Sequence, residues 1–171
     1  MKKKIIGVFF ILLSIFIVFV SAFVYETAQQ TVAQTITNIA TLNLKNSALG
    51  NIEEGETISY TKGNATNLDA AISIMTTKQN VYLHLNSDID SLSTYYSTYT
   101  ITVKFFTIPV DSDYSEGTTA CTLTLTSPND VVILDEDGSW VFDFEVTTTA
   151  QSVSEDYLAT ATIVVTAEST P

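Results

Sequence analysis

The spacing of apolar and polar positions divides this chain into two regimes. From Ile5 to Tyr25 nearly every position is apolar over 21 residues, and roughly 20 such residues span a bilayer as a helix. Beyond Thr35 the pattern becomes alternation. Trp140, Phe142, Phe144 and Val146 interleave with Val141, Asp143, Glu145 and Thr147, the period of a strand with one wet face. Tyr99, Ile101, Val103 and Phe105 repeat this against Thr100, Thr102 and Lys104, as do Cys121, Leu123 and Leu125 against Thr122, Thr124 and Thr126. Val81, Leu83 and Leu85 alternate with Tyr82 and His84.

Shorter strands are expected around Ile58 and Tyr60, around Ile72 and Ile74, and where Ile36, Ala40, Leu42 and Leu44 share a face. Tyr157 to Ala167 is apolar on both faces for part of its length and reads as a further strand. The Asp-Gly step in Asp135-Glu136-Asp137-Gly138-Ser139 supplies a φ > 0 position, so residues 131–148 read as a hairpin. Ser87 to Tyr96 is the exception: Ile89, Leu92 and Tyr96 recur at helical spacing after a polar cap. About eight short strands with turn signals between them predict an all-β fold. The expected architecture is a two-sheet antiparallel sandwich, jelly-roll or immunoglobulin-like, preceded by one N-terminal hydrophobic helix.

Charge sharpens the division. Lys2, Lys3 and Lys4 precede the apolar run, and a basic head before an apolar stretch is read by export machinery. Residues 1–25 are thus a signal peptide or a signal-anchor transmembrane helix. Val20-Ser21-Ala22 offers short residues for cleavage after Ala22, whereas the length of the run suits retention. Either way the rest is expected on the extracellular face of the membrane or secreted to the cell surface. The polar C-terminus carries no second span, so membrane attachment is expected through the N-terminal helix. After Ala22, four lysines face 19 acids and no arginine, a net charge of −15. Such a surface repels a phosphate backbone and excludes nucleic acid as a partner. One cysteine permits no internal disulfide, so the domain, residues 36–171, must rely on its apolar core.

Candidate chemistry is sparse. Cys121 and His84 are the only Cys and His, and such a pair can make a nucleophile. A sortase-type site would also need an arginine, which the chain lacks, and Cys121 shares a face with Leu123 and Leu125. The chain reads as non-enzymatic. Asp111, Asp113, Ser115 and Glu116 place oxygens as the first half of a calcium loop does, but Gly117 comes one residue late and Thr122 stands where a bidentate Glu belongs. Solvated turns account for these acids and for Asp135–Asp137 better than a calcium loop does. No other cofactor is suggested. Tyr95, Tyr96 and Tyr99 can form a platform for a glycan or pack on neighbouring strands. Asn64-Ala65-Thr66 is an N-glycosylation sequon.

The lysine-led export signal followed by strands, with Ala40-Thr41-Leu42-Asn43-Leu44, Glu54-Gly55-Glu56-Thr57 and Phe142-Asp143-Phe144-Glu145-Val146-Thr147, resembles the TasA/camelysin group and the archaeal bundling-pilus subunits. The resemblance covers about a quarter of the chain. It implies self-association by donor-strand complementation, in which an N-terminal segment completes a sheet of the next subunit. Here that segment is Phe23–Thr35, within which residues 26–35, including Thr27, Thr31, Val32 and Thr35, form either a linker or the donor. The implied function is a filament or matrix subunit. An anchored binding or adhesion domain for a surface protein or glycan is the alternative.

Overall fold

The alternating segments become strands because Thr, Val, Ile and the aromatics fit a pleated surface with one face buried. A computed structural model describes residues 38–154 and 156–169. The export segment and the candidate donor residues Thr27, Thr31, Val32 and Thr35 lie outside these. Nine strands are described: β1 (Ala40–Leu44), β2 (Thr57–Tyr60), β3 (Ile72–Thr76), β4 (Val81–Ser87), β5 (Tyr96–Thr107), β6 (Thr119–Thr124), β7 (Asn129–Leu134), β8 (Gly138–Ala150) and β9 (Ile163–Glu168). A 3₁₀ helix, Ile89–Thr94, joins β4 to β5 and buries Ile89 and Leu92, which accounts for the helical spacing there.

Two antiparallel sheets result. One has the order β1-β3-β8-β5-β6, with β2 paired to β8 as well; the other is β7-β4-β9. Along β8, Ile72 faces Phe142 through β3 and Tyr60 faces Val146 through β2, so the two short strands share one edge of the long one. The inward rows close the core. Trp140, Phe142, Leu83 and Leu134 are fully buried, and complete burial of such an aliphatic or phenyl side chain contributes about 1.5–3 kcal/mol. Phe105 lies between Trp140 and Phe142, with ring centroids 5.9 and 5.3 Å away.

The outward face of the larger sheet is ruled by hydroxyls. Register places Ser59 beside Thr147, Thr147 beside Thr100, and Thr100 beside Thr124, a row across four strands. Thr57 and Thr149 approach to 2.9 Å and Ser59 and Thr147 to 3.1 Å, hydroxyl to hydroxyl.

Two sequence expectations are corrected. Residues 131–148 do not form a hairpin: β7 pairs with β4, while both edges of β8 are taken by β5 and by β3 and β2. The Asp135–Gly138 turn instead passes the chain from one sheet to the other. It is fixed there because the Glu136 carbonyl accepts from Trp140 Nε1 and Thr76 Oγ1, each at 3.2 Å. Turn chemistry specifies a reversal, not whether the reversal stays within a sheet. The last strand also starts later than the apolar run, at Ile163 rather than Tyr157. Residues 151–154 and 156–162 lie between β8 and β9, held to the 3₁₀ helix and its flanks at both ends. Gln151 N–H donates to the Tyr95 carbonyl at 2.8 Å, and Thr162 N–H to Asp88 Oδ1 at 2.6 Å.

Candidate functional site

The sheets differ in width, and the difference falls on one side. β6 and β7 are neighbours across the short 125–128 connection, where Thr124 and Ser127 form a bridge. That corner closes the sandwich. The far side is bounded by β9 in the smaller sheet and by β1 and β2 in the larger. β9 pairs with β4 along Ile163–Glu168 and has no strand on its other side among the described residues. Its inward residues Ile163, Val165 and Ala167 are only half-buried, unlike Leu83 and Leu85 of the adjacent β4. Across the sandwich, Leu42 of β1 is half-buried and Leu44 is 48% exposed. The smaller sheet has three strands against five along the path of the larger one, and its β9 edge carries a half-buried apolar row. An edge strand of this kind presents unpaired N–H and C=O groups to any chain that can pair with it.

The acidic loop between β5 and β6 is packed rather than splayed. Asp135 accepts from the Ser112 hydroxyl at 2.8 Å and from Asp113 N–H at 2.7 Å, so both carboxylate oxygens serve the loop. Tyr114 stacks on Phe105 at 4.5 Å, and burial, followed by the negative charges of Asp135 and Asp113, raises its phenol pKa. Gly117 N–H donates to the Phe105 carbonyl at 2.7 Å, and Thr118 Oγ1 to the Ser115 carbonyl at 2.6 Å. Asp111 holds φ +73°. Among the described residues no group of three or more His, Cys, Asp or Glu is gathered as a metal ion would need. The two acidic turns do meet, as Asp135 against residues 112 and 113, an approach that sequence spacing does not reveal.

Cys121 and His84 belong to different sheets and opposite faces. Cys121 points inward from β6, 5% exposed, and burial, helped by Asp130, pushes its thiol up to about 12. His84 alternates with buried Leu83 and Leu85 and so faces outward. Its Nε2 lies 4.0 Å from the Glu168 carboxylate and finds no hydrogen-bond partner among the described residues. Asn64 is exposed on a turn; its Nδ2, the atom a glycan would occupy, donates to the Ser59 carbonyl at 2.9 Å while its Oδ1 accepts from Thr61 N–H.

The three tyrosines do not share a surface. Tyr99 is 9% exposed and Tyr96 meets it edge-on at 88°. Tyr95 turns away to stack on Tyr157. The outer face of the smaller sheet is mixed: Ile133 (41% exposed) lies beside Tyr82 and Val131 (43%) beside His84, while Val164 (57%) lies beside Asn86.

These features define an all-β domain of two antiparallel sheets, closed at the β6–β7 corner and open at β9. The chain matches no protein-family model, and no curated protein matches it either.

Proposed function

We propose that this chain is a non-enzymatic structural protein of the outer cell surface, a filament or matrix subunit that assembles by strand donation into the open edge at β9. The half-buried inward row Ile163, Val165 and Ala167, at an edge strand with nothing beyond it among the described residues, carries the reading. An added strand there would cover that row. The donor is Phe23–Thr35 of a neighbouring copy. Its main chain supplies affinity and its alternate side chains supply register. The Lys-led apolar run serves as the export signal and is cleaved after Ala22, because a segment tethered to a lipid-embedded helix cannot thread into a neighbour. The two-sheet domain, jelly-roll or immunoglobulin-like in kind, is then the repeating body of the polymer.

Negative-stain electron microscopy tests this on purified Phe23–Pro171 beside a chain beginning at Ile36. Filaments from the longer chain alone are expected. Monodisperse particles from both would overturn strand donation. They would favour the second reading, an anchored adhesion domain, which the exposed Val131 and Ile133 beside Tyr82 support as a contact for a surface protein. A mature protein that retains Met1 or Lys2 would point the same way.

A further inference from the structure

Tyr95 and Tyr157 are 62 positions apart in sequence, yet their rings lie parallel, with centroids 3.7 Å apart and planes inclined by 7°. The fold builds this pair from both sides. Tyr95 N–H donates to the Leu92 carbonyl at 2.9 Å, closing the 3₁₀ helix and fixing the residue at the start of β5. Gln151 N–H donates to the Tyr95 carbonyl at 2.8 Å and Gln151 Nε2 to the Ser93 carbonyl at 2.9 Å, so the crossing segment begins against the same turn. Six residues later it lays Tyr157 on the Tyr95 ring. The parallel stacking brings the two phenol rings into face-to-face contact. Tyr157 is 51% exposed, open to a diffusing oxidant.

We propose that Tyr95 and Tyr157 form an oxidative cross-linking site, an intramolecular dityrosine that staples the crossing segment to the start of β5. A one-electron oxidant such as a haem peroxidase with hydrogen peroxide takes one electron from each phenol, and each phenol loses its hydroxyl proton. The two tyrosyl radicals carry spin density on the carbons ortho to oxygen, and these carbons bond. Each coupled ring then loses its ortho hydrogen as a proton and regains a phenol hydroxyl by tautomerisation. The sum is two phenols and one peroxide giving one biphenol and two waters. Coupling requires the rings to slide from face-to-face to edge-to-edge. The Gln151 and Thr162 anchors lie six and five residues from Tyr157, and the described residues between them belong to no strand, which leaves room for that slide. The staple gives this domain the covalent tie that a single buried cysteine cannot. It is independent of assembly at β9.

Tyr96 and Tyr99 are the internal control: their rings are near-perpendicular and 5.2 Å apart, and Tyr99 is buried. The full-length chain, purified in detergent, is treated with haem peroxidase and limiting hydrogen peroxide, then digested and analysed by mass spectrometry and dityrosine fluorescence. The expected product is a monomer containing one cross-linked peptide, lighter by two hydrogens, that joins Tyr95 to Tyr157. Tyr95→Phe and Tyr157→Phe should each lose that peptide; Tyr96→Phe should keep it. In concentrated urea the selectivity should disappear. Absence of dityrosine, links formed only between molecules, or the same selective link in urea would each overturn the proposal.

Discussion

Individual residues fix this fold where the chain changes sheets. Gly138 opens β8 at φ +132°, a backbone conformation that side-chain-bearing residues avoid. A Cβ built there would stand 3.2 Å from both Cβ and Cγ of Pro109. Its N–H donates to Thr76 Oγ1 at 3.1 Å, so the peptide cannot rotate away without losing a buried partner. Gly138→Ala is therefore expected to cost about 1–3 kcal/mol. The shift in urea midpoint, followed through the fluorescence of the single tryptophan, Trp140, measures it. The Asp-Gly step announces the positive φ in the sequence. Its neighbours Pro109 and Thr76 are distant along the chain, so the tight packing that makes glycine necessary is not announced.

Among the elements, β9 is held by contacts outside its own ladder as well as within it. Among the described residues it pairs with β4 alone, and those leading into it form no strand. Asp88, next to the 3₁₀ helix, holds the entry. Its Oδ1 accepts from Thr162 N–H at 2.6 Å, and its own N–H donates to the Thr162 carbonyl at 3.2 Å. Asp88→Ala removes only the first of these and should destabilise the domain by about 1–2 kcal/mol, as loss of a hydrogen bond to an ionised acceptor does at a partly solvated position. Hydrogen exchange gives the sharper reading: amides of Ile163–Glu168 should exchange faster than in the parent, with β3 unchanged. Loosening β9 would also loosen the edge to which the donor strand is proposed to bind.

For the molecule as a whole, the absence of a disulfide leaves stability to the core, and the core's ionisable members set an alkaline limit. Tyr99 is pushed up from 10.0 to about 12, first by burial and then by the neighbouring Tyr96 and Tyr60 phenols. Cys121 is raised from 9.0 to about 12, again first by burial. Both groups hold their protons more tightly folded than unfolded, so their stabilisation is complete below the unfolded values and is lost as pH rises through the folded ones. Stability should hold to about pH 9, then fall towards pH 12, with a slope of up to about 1.4 kcal/mol per pH unit for each titrating group. Tyr60, Tyr96 and Tyr114 shift in the same direction and steepen the fall. Denaturant midpoints measured from pH 8 to 12 check this. A flat profile would mean that Tyr99 and Cys121 are solvated in the folded protein.

The all-β class, the alternation within each long strand and the short helix between Ser87 and Tyr96 were all legible from the order of residues. These are local properties: side chains on a strand point alternately to opposite faces, and Thr, Val and aromatic residues fit the pleat. That order also identified Cys121 as a core residue from the company of Leu123 and Leu125. Strand and side-chain partners were settled by packing. That β7 and β8 part into different sheets, that Asp135 serves the 112–113 loop, and that Tyr95 meets Tyr157 follow from which edges and faces are filled by residues far away in the chain. Alternation tells a strand which face to bury. It carries no information about which strand lies beside it, and so the opening at β9 became visible only when all the described strands were in place.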